Sequence, residues 1–278
     1  MKIVRKISEL RKWLHEERKR GVKIGLVPTM GSIHLGHISL VKLALRHADS
    51  VIVSIFVNPM QFAAHEDFEK YPRNEELDST HLKSAGVSVL FVPDQGEMFT
   101  EGHSTVIDVG CLGKVLEGEF RPNFFHGVAT IVTKLLIQVL PDIAIFGEKD
   151  FQQLCVIRRL VEDLNLPVEV LQAATVREND GLAISSRNRY LSDEERICAP
   201  ILYKVICSFA KDLKLGYSQE KSYDHWASHL INHGFCKIDY LEARDSKNLE
   251  KVQIANRKIR ILAAAWLGNT RLIDNIAL

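Results

Sequence analysis

The run SVIVSIFV, residues 50–57, is β-branched and nearly all apolar, without the polar alternation that a half-exposed strand would show. Such a run is typical of a parallel strand that is covered on both faces. Residues 23–29, 87–93, 142–147 and 167–176 also predict strands, and segments with helical periodicity separate them. Strand and helix alternating in this way predict an α/β fold with a doubly wound, mainly parallel, Rossmann-like sheet.

The pattern changes near residue 177. A polar stretch of 20 residues, 177–196, leads to a segment that predicts one helix over 191–216 with Ser192 as its N-cap. A second helix and strands at 237–245, 257–268 and 270–278 follow. Helices followed by a run of strands predict a small α+β domain. We therefore expect two domains, 1–176 and 177–278.

Composition excludes several classes of protein. The 278 residues carry a formal net charge of +1, which does not favour a nucleic-acid-binding protein. The basic N-terminus is too polar for a signal peptide, and no apolar run approaches the roughly 18 residues that span a membrane. The five cysteines are scattered and include no CxxC pair, which favours a reducing cytoplasm over a disulfide framework.

The segment MGSIHLGH, residues 30–37, follows the first of the buried strands and opens a helix. A helix N-terminus attracts phosphate, Gly31 and Gly36 allow a close approach, and His34 and His37 can donate to charge on a phosphoryl oxygen. The chain has neither GxxxxGKS nor GxGxxG, so a Walker or dinucleotide site is not indicated. Two alternatives are a metal site, which lacks an obvious third ligand, and simple packing.

Two further segments place polar residues at the ends of predicted strands. In FVNPMQF, residues 56–62, the amides of Asn58 and Gln61 lie among apolar residues, which suits a hydroxyl-bearing ligand. The alternative there is a capped turn. In FGEKDFQQL, residues 146–154, Lys149 suits a phosphate and Asp150 suits a helix cap or a magnesium-bound phosphate. The alternative is a solvated turn.

Two polar loops complete the candidate site. GLAISSRNRYL, residues 181–191, has the character of a mobile phosphate clamp in which Arg187 would grip the triphosphate. We interpret Arg189 as a surface charge. In residues 116–127, Glu117 and Arg121 could pair with each other or reach a ligand, and the sequence does not decide between these roles.

Taken in order, these segments closely resemble the pantoate–β-alanine ligase family. The resemblance covers nearly the whole chain and rests on PTMGSIHLGH, SIFVNPMQF, YPRN, FGEKDFQQL, DGLAISSRNRYL, YLEARD and TRLIDN. HxGH alone would indicate only the wider nucleotidyltransferase superfamily. One departure concerns the family pattern RPxHFxG, in which Phe124 replaces the usual histidine and His126 follows two positions later. Phenylalanine at position 124 cannot make the polar contact that a histidine there would make.

The resemblance implies a two-step reaction, in which pantoate and ATP form pantoyl adenylate and β-alanine then displaces AMP. It implies catalysis by His37, His34, Lys149 and Arg187, and pantoate or β-alanine binding by Asn58, Gln61 and Gln153. It assigns ATP binding to Met30, Gly31, His34, Gly36, His37, Gly147, Glu148, Lys149, Asp150, Val176, Ile184, Ser185, Ser186 and Arg187. It also implies Mg²⁺ on the ATP phosphates, a homodimer, and a second domain that acts as a lid against water.

Three rivals stay open. The nearest is another HxGH nucleotidyltransferase, of the cytidylyl- or adenylyltransferase type, that acts on a small alcohol phosphate. The second is a tRNA-charging synthetase fragment, against which the near-neutral charge argues. The third is a module that senses ATP without turning it over.

Overall fold

The computed structural model describes residues 1–63, 66, 68–252 and 258–278. The strands of these residues are, in chain order, β1 (Lys2–Val4), β2 (Ile24–Thr29), β3 (Ser50–Ile55), β4 (Val89–Phe91), β5 (Ile143–Gly147), β6 (Glu169–Ala173), β7 (Phe235–Asp245), β8 (Ile259–Leu267) and β9 (Thr270–Ala277). The helices are α1 (Ile7–Lys19), α2 (Leu35–His47), α3 (Glu75–Ser84), α4 (Gln95–Met98), α5 (Glu117–Phe120), α6 (Phe124–Val139), α7 (Phe151–Asp163), α8 (Asp193–Cys198), α9 (Ile201–Lys214) and α10 (Gln219–Asn232).

The described residues divide into two compact units. The first unit comprises Met1–Gly147 with Gln153–Ala173, and the second comprises Glu148–Gln152 with Ala174–Leu278. The second unit thus includes a five-residue segment from the turn after β5. The two functional domains proposed at 1–176 and 177–278 stay a prediction.

The first unit is built on a six-stranded sheet in the order β1-β4-β3-β2-β5-β6, with every strand pair parallel. The strand order reverses beside β2, because the chain proceeds from β2 to β3 on one side and returns to β5 on the other. In such sheets ligands bind beyond the carboxyl ends of the strands at this switch point. The predicted doubly wound fold is confirmed, and the HxGH segment follows the switch strand.

The central strands of the first unit, β2 to β5, are buried along most of their length, which explains their nearly continuous apolar character. Val27, Val53, Leu90 and Ile145 come from neighbouring strands and are fully buried. The sequence analysis missed β1, whose three residues pair with β4 from Lys2 opposite Val89. A strand so short has too few residues to show a period.

The second unit pairs helices with a three-stranded antiparallel sheet in the order β7-β8-β9. Phe209 of α9 and Phe235 of β7 are buried in its apolar core. The predicted α+β character is therefore confirmed. The predicted strand 257–268 begins at Arg257, which lies outside the described residues, and β8 ends at Leu267.

The single helix predicted over residues 191–216 is wrong. The chain forms α8 and α9 instead, and Ala199 and Pro200 lie between them. Pro200 lacks a backbone N–H and cannot continue the hydrogen bonding of α8, so α9 begins after it. The predicted N-cap is confirmed, since Ser192 caps α8 and forms a capping box with Glu195.

No helix among the described residues is long and apolar enough to cross a membrane.

Candidate active site

The two histidines of the HxGH segment lie at the start of α2, beyond the carboxyl end of β2. His34 is the N-cap residue, and its Nδ1 accepts the N–H of Gly36 at 3.1 Å. Nδ1 of His37 accepts the N–H of His34 at 3.4 Å, and the two rings stack with centroids 4.0 Å apart. A ring nitrogen that accepts carries no proton, so each neutral ring holds its proton on Nε2. Such ring N–H groups can stabilise charge that develops on a phosphoryl oxygen.

Gly36 leaves room for the ring of His34. A Cβ at position 36 would lie 2.8 Å from Cε1 and 2.9 Å from Nδ1 of that ring. These distances are far shorter than van der Waals contact, so any side chain at position 36 would displace the ring. The glycine therefore serves the orientation of His34 within the protein.

The loop before the histidines is held by Asp78, a residue that the sequence analysis did not single out. Its carboxylate accepts the N–H of Ser32 at 2.8 Å and the N–H of Ile33 at 2.7 Å, and the side chain is 3% exposed. Ser32 adopts a φ of 52°, a left-handed conformation that costs a non-glycine residue roughly 1–2 kcal/mol. The two bonds from Asp78 offset that cost. The one available signal was periodicity, since Asp78 and Leu82 share the buried face of α3.

Backbone N–H groups along the HxGH segment donate within the protein. The groups in question belong to Gly31, Ser32, Ile33, His34 and Gly36. The N–H groups of Gly31 and Gly36 are thus already bonded and would not be the groups that bind a phosphate. Contact of Met30, Gly31 and Gly36 with ATP stays a prediction, and it would use other atoms of these residues.

Asn58 and Gln61 lie together in the turn that follows β3. The Asn58 side chain caps the 3-10 turn Pro59–Gln61 by accepting the N–H of Met60. Its amide nitrogen donates to Oε1 of Gln61 at 3.2 Å and to the carbonyl of Gly127 at 3.0 Å. Both amide hydrogens are thereby used within the protein. Asn58 therefore orients Gln61, and its predicted contact with a ligand remains a prediction.

Gly127, in the first turn of α6, lies directly against this turn. A Cβ at position 127 would overlap the carbonyl oxygen of Met60 and would lie 2.7 Å from the backbone nitrogen of Gln61. The amide nitrogen of Gln61 in turn lies 2.9 Å from the sulfur of Met30. The helix can therefore approach the Gln61 backbone only because residue 127 is glycine.

The polar loop at residues 116–127 makes its charged contacts within the protein. Arg121 donates two bonds of 2.6 Å to the carboxylate of Glu66. A second carboxylate, that of Glu117, lies 3.7 Å from the Arg121 guanidinium. Of the two roles considered for Glu117 and Arg121, the structure shows the pairing. The Arg121 guanidinium stacks 3.8 Å above the ring of Phe124, and Nε2 of His126 lies 3.3 Å from Asp108. Position 124 thus contributes an aromatic face where a histidine is usual.

Gly147 and Gln153 belong to the first unit. Gly147 is the last residue of β5, and Gln153 is half-buried in the first turn of α7. A ligand contact of either residue stays a prediction.

In the second unit, the turn Glu148–Asp150 is bound by residues of β8 and β9. The Asn275 amide donates to the carbonyl of Glu148 at 2.9 Å and to the carbonyl of Lys149 at 2.8 Å. Arg260 donates to the Glu148 carboxylate at 3.1 Å and to Oδ1 of Asn275 at 2.6 Å. The Glu148 side chain is thus used structurally, whereas Lys149 is half-buried and Asp150 is exposed.

The loop at residues 174–191 brings several candidate residues of the second unit together. The N–H of Ile184 donates to the carbonyl of Val176 at 3.0 Å. Ser185 caps the 3-10 turn Ser186–Tyr190, and its Oγ accepts the N–H of Arg187 at 3.3 Å. The loop is therefore a folded hairpin-like segment rather than an extended linker.

Asp274, next to Asn275 on β9, anchors the same loop. Its carboxylate accepts two hydrogen bonds from Arg177, at 2.5 and 2.9 Å, and the Arg177 guanidinium stacks 3.8 Å above the ring of Tyr203. The segment TRLIDN thus holds both candidate ATP-binding segments of the second unit. Sequence reasoning noted this segment but assigned it no role.

Known proteins share this chain's sequence over nearly its whole length. The model of the family described as pantoate-beta-alanine ligase matches residues 2–277. A pantothenate synthetase of Paramagnetospirillum magneticum is 50% identical over 274 residues, which cover 99% of this chain and 96% of the relative. That of Caulobacter vibrioides is 47% identical over 278 residues, with 99% and 98% covered.

Solved structures of proteins with the same names also resemble this chain. The pantothenate synthetase of Thermus thermophilus superposes with a TM-score of 0.92 at 42% identity, with 99% of each chain covered. A pantoate-beta-alanine ligase of Francisella tularensis, described as complexed with beta-gamma ATP and beta-alanine, gives a TM-score of 0.82 at 34% identity. It covers 100% of this chain and 97% of its own.

Proposed function

Because the chain belongs to the pantoate–β-alanine ligase family, we propose that it joins pantoate to β-alanine through a pantoyl adenylate, with release of AMP and pyrophosphate. The observation that carries the proposal is the match of the family over residues 2–277, together with a stacked histidine pair at the switch point of the sheet. The solved relative described with ATP and beta-alanine supports the same two substrates.

In the first step, a carboxylate oxygen of pantoate attacks the α-phosphorus of ATP. The bond from that phosphorus to the oxygen of the β-phosphate breaks, and pyrophosphate leaves with the electron pair. Negative charge builds on the phosphoryl oxygens in the transition state. Donors held in place before the reaction stabilise that charge without reorganisation, which is where His34 and His37 would act.

In the second step, the neutral amine of β-alanine attacks the acyl carbon of the adenylate. The carbon–oxygen bond to AMP breaks, the amide forms, and the nitrogen gives up a proton to water. By resemblance His37 is the catalytic acid, and we propose that its Nε2–H acts by donating a hydrogen bond to a phosphoryl oxygen as charge builds there. Gln61 and Gln153 would bind the hydroxyls and carboxylate of pantoate, since amides both donate and accept.

In the second unit we propose that Lys149 and Arg187 bind the triphosphate and the departing pyrophosphate. Both substrates of the first step are anions, and these cations offset their repulsion. The backbones at Val176 and Ile184, with Ser185 and Ser186, would contact the nucleotide. Glu148 would contribute through its backbone, because its side chain pairs with Arg260. Asp150, which is exposed, would contact ATP or its magnesium-bound phosphates.

We propose that Mg²⁺ accompanies ATP and is held by the phosphates. Among residues 1–63, 66, 68–252 and 258–278, no group of three His, Cys, Asp or Glu side chains could hold a metal ion. Mg²⁺ needs no such group, because it keeps most of its water ligands and binds phosphate oxygens directly. When bound, it would neutralise charge on the leaving pyrophosphate.

Three further proposals concern assembly, location and domain motion. A homodimer is proposed from the family alone. A cytoplasmic location is proposed because the five cysteines are free thiols, as a reducing compartment would keep them. The residues 177–278 are proposed to act as a lid that protects the adenylate from water.

The proposal is tested by exchange of labelled pyrophosphate into ATP. We expect exchange with pantoate and Mg²⁺ alone, no exchange with β-alanine alone, and pantothenate with stoichiometric AMP when both substrates are present. Exchange that requires an alcohol phosphate in place of pantoate would support the nucleotidyltransferase alternative, which the match over the whole chain does not favour. Tight ATP binding without any exchange would indicate a sensor.

A further inference from the structure

The loop between β2 and α2 contains an anion-binding turn that the protein fills with its own carboxylate. Gly31 and Ser32 are both left-handed, with φ of 85° and 52°. The next two N–H groups, those of Ser32 and Ile33, both donate to one carboxylate, and a turn that presents successive backbone N–H groups in this way can also bind a phosphate. The acceptor here is the carboxylate of Asp78.

The fit between Asp78 and the loop is close. One carboxylate oxygen accepts from Ser32 and the other from Ile33, at 2.8 and 2.7 Å. A Cβ on Gly31 would lie 3.0 Å from the first of these oxygens. The side chain is 3% exposed, so solvent does not compete for either bond. Both partners are backbone groups, so the carboxylate acts on the conformation of the loop itself.

We propose that Asp78 is a positioning residue that occupies this N–H pair, keeps phosphate out of it, and so fixes the loop from which His34 and His37 act. The inference rests on the proposed function, in that ATP is the anion to be directed. His34 directly follows Ile33. Its ring caps α2, and its N–H donates to the ring of His37. A shift of Ile33 therefore moves both rings. With these two N–H groups occupied, the histidine side chains would take their place as donors for the triphosphate.

The test is chemical rescue of the first half-reaction. Asp78→Ala removes the carboxylate and leaves a space that formate fills, with two oxygens for the same two N–H groups. We expect the kcat of pantoate-dependent pyrophosphate exchange to fall about 100-fold, because displacement of about 1 Å at a distance from the chemistry has that effect. The KM for ATP should change by less than about threefold, and formate should restore most of the kcat, whereas neutral formamide should not.

Asn74→Ala is the matched control, because among the described residues the Asn74 side chain caps the same helix by accepting the N–H of Leu77, a partner outside the loop. We expect it to lower the melting temperature with kcat within about twofold of the parent chain. Asp78→Asn keeps the volume of the side chain but faces one N–H with an amide NH₂. It should lose activity that formate does not restore, since no space is left. This variant also serves if Asp78→Ala does not fold.

A kcat of both Asp78 variants within about twofold of Asn74→Ala, or equal rescue by formate and formamide, would overturn the inference. A second measurement does not depend on catalysis. Formate should raise the melting temperature of Asp78→Ala and leave that of the parent chain unchanged, because it binds only the vacated N–H pair. Absence of exchange in the parent chain would contradict the proposed function, and this thermal shift would still decide the role of Asp78.

Discussion

The HxGH loop of the first unit and the Glu148–Asp150 turn of the second are held in opposite ways. The loop offers N–H groups, and a buried carboxylate, Asp78, accepts them. The turn offers carbonyl groups, and a neutral amide, Asn275, donates to them. Each segment is thus held through its backbone by one side chain from a distant element, which leaves the candidate side chains to be oriented separately.

The difference indicates a division of labour between the two segments. The loop orients two imidazole rings, and we propose that they act on the transition state, because the effect of a hydrogen-bond donor depends on its direction. The turn carries Lys149, a point charge on a flexible chain, and we propose that it attracts phosphate in the ground state as well. Damage to the loop should therefore lower kcat, whereas damage to the turn should raise the KM for ATP.

The largest effect expected from this comparison is that of His37→Ala. Removing one donor aimed at developing charge should lower the kcat of pyrophosphate exchange by about 10²- to 10³-fold, with a much smaller change in the KM for ATP. His47→Ala is the control, since His47 is exposed at the other end of α2. An equal loss in kcat and in ATP affinity would show that His37 is chiefly a binding residue and would remove the distinction between the two segments.

Asn275→Ala should have the next largest effect, on binding. It leaves the carbonyls of Glu148 and Lys149 without their donor, and the turn loses its fixed position. We expect the KM for ATP to rise about tenfold, equivalent to about 1.4 kcal/mol, with kcat nearly unchanged. Asn248→Ala, at an exposed position of the same unit, is the control. A fall in kcat with an unchanged KM would contradict the assignment of this turn to ground-state binding.

Gly127→Ala tests a third segment, the turn that carries Gln61, which is positioned by close packing against α6. The new Cβ would overlap the carbonyl oxygen of Met60, so α6 and the Gln61 turn must separate. Overpacking of this kind costs about 1–3 kcal/mol of stability. The KM for pantoate should rise severalfold while the KM for ATP stays the same. Gly96→Ala is the control, because its Cβ would find ordinary contact at 3.5 Å. A change in ATP affinity alone would contradict the assignment of Gln61 to pantoate.

The smallest effect on activity is expected from Asp239, in β7. Burial acts to raise the pKa of this carboxyl, but bonds from Arg271, Lys237 and Trp266 outweigh it and hold the pKa below its ordinary value. Its stabilising contribution is thus present above the ordinary pKa of an aspartate and is lost as the pH falls through the lowered value. Asp239→Asn should therefore destabilise the chain near neutral pH by about 1–2 kcal/mol and lose this effect in acid.

Thermal unfolding of Asp239→Asn and the parent chain across pH 2–7 measures that difference, with the expected convergence at the acid end. Pyrophosphate exchange should stay unchanged, because Asp239 contacts neither the turn nor the loop at residues 174–191 among the contacts of the described residues. A loss of exchange would mean that the stability of the second unit alone governs ATP binding. That result would contradict a specific role of Asn275 in positioning the turn.

Much of this site was predictable from local sequence. The segment MGSIHLGH was expected to open a helix, and the structure confirms this, with His34 as the N-cap and His37 in the first turn of α2. The strands and their order of alternation with helices were predictable for the same reason, since periodicity reflects burial of neighbouring residues. The break at Pro200 was also readable but was overlooked, because the apolar period continues on both sides of it.

The supporting residues were not predictable in this way. Asp78 lies 46 residues from Ser32 and Asn275 lies 127 residues from Glu148. Gly127 is required by the backbone of Met60, in a different element. In each case the residue type is common, and its role follows only from the residue that it contacts in the folded chain.

The sequence by itself determined the fold class, the family and the residues proposed to meet the substrates, because these follow from periodicity and from short motifs whose members are neighbours along the chain. Only the tertiary structure decided which groups are already used inside the protein. It assigned the N–H groups of the HxGH loop to Asp78 and the histidine rings, the Asn58 amide to Gln61 and Gly127, and the Glu148 carboxylate to Arg260. Hydrogen-bond partners are set by distance in space, which a chain acquires only when its separate strands and helices pack together.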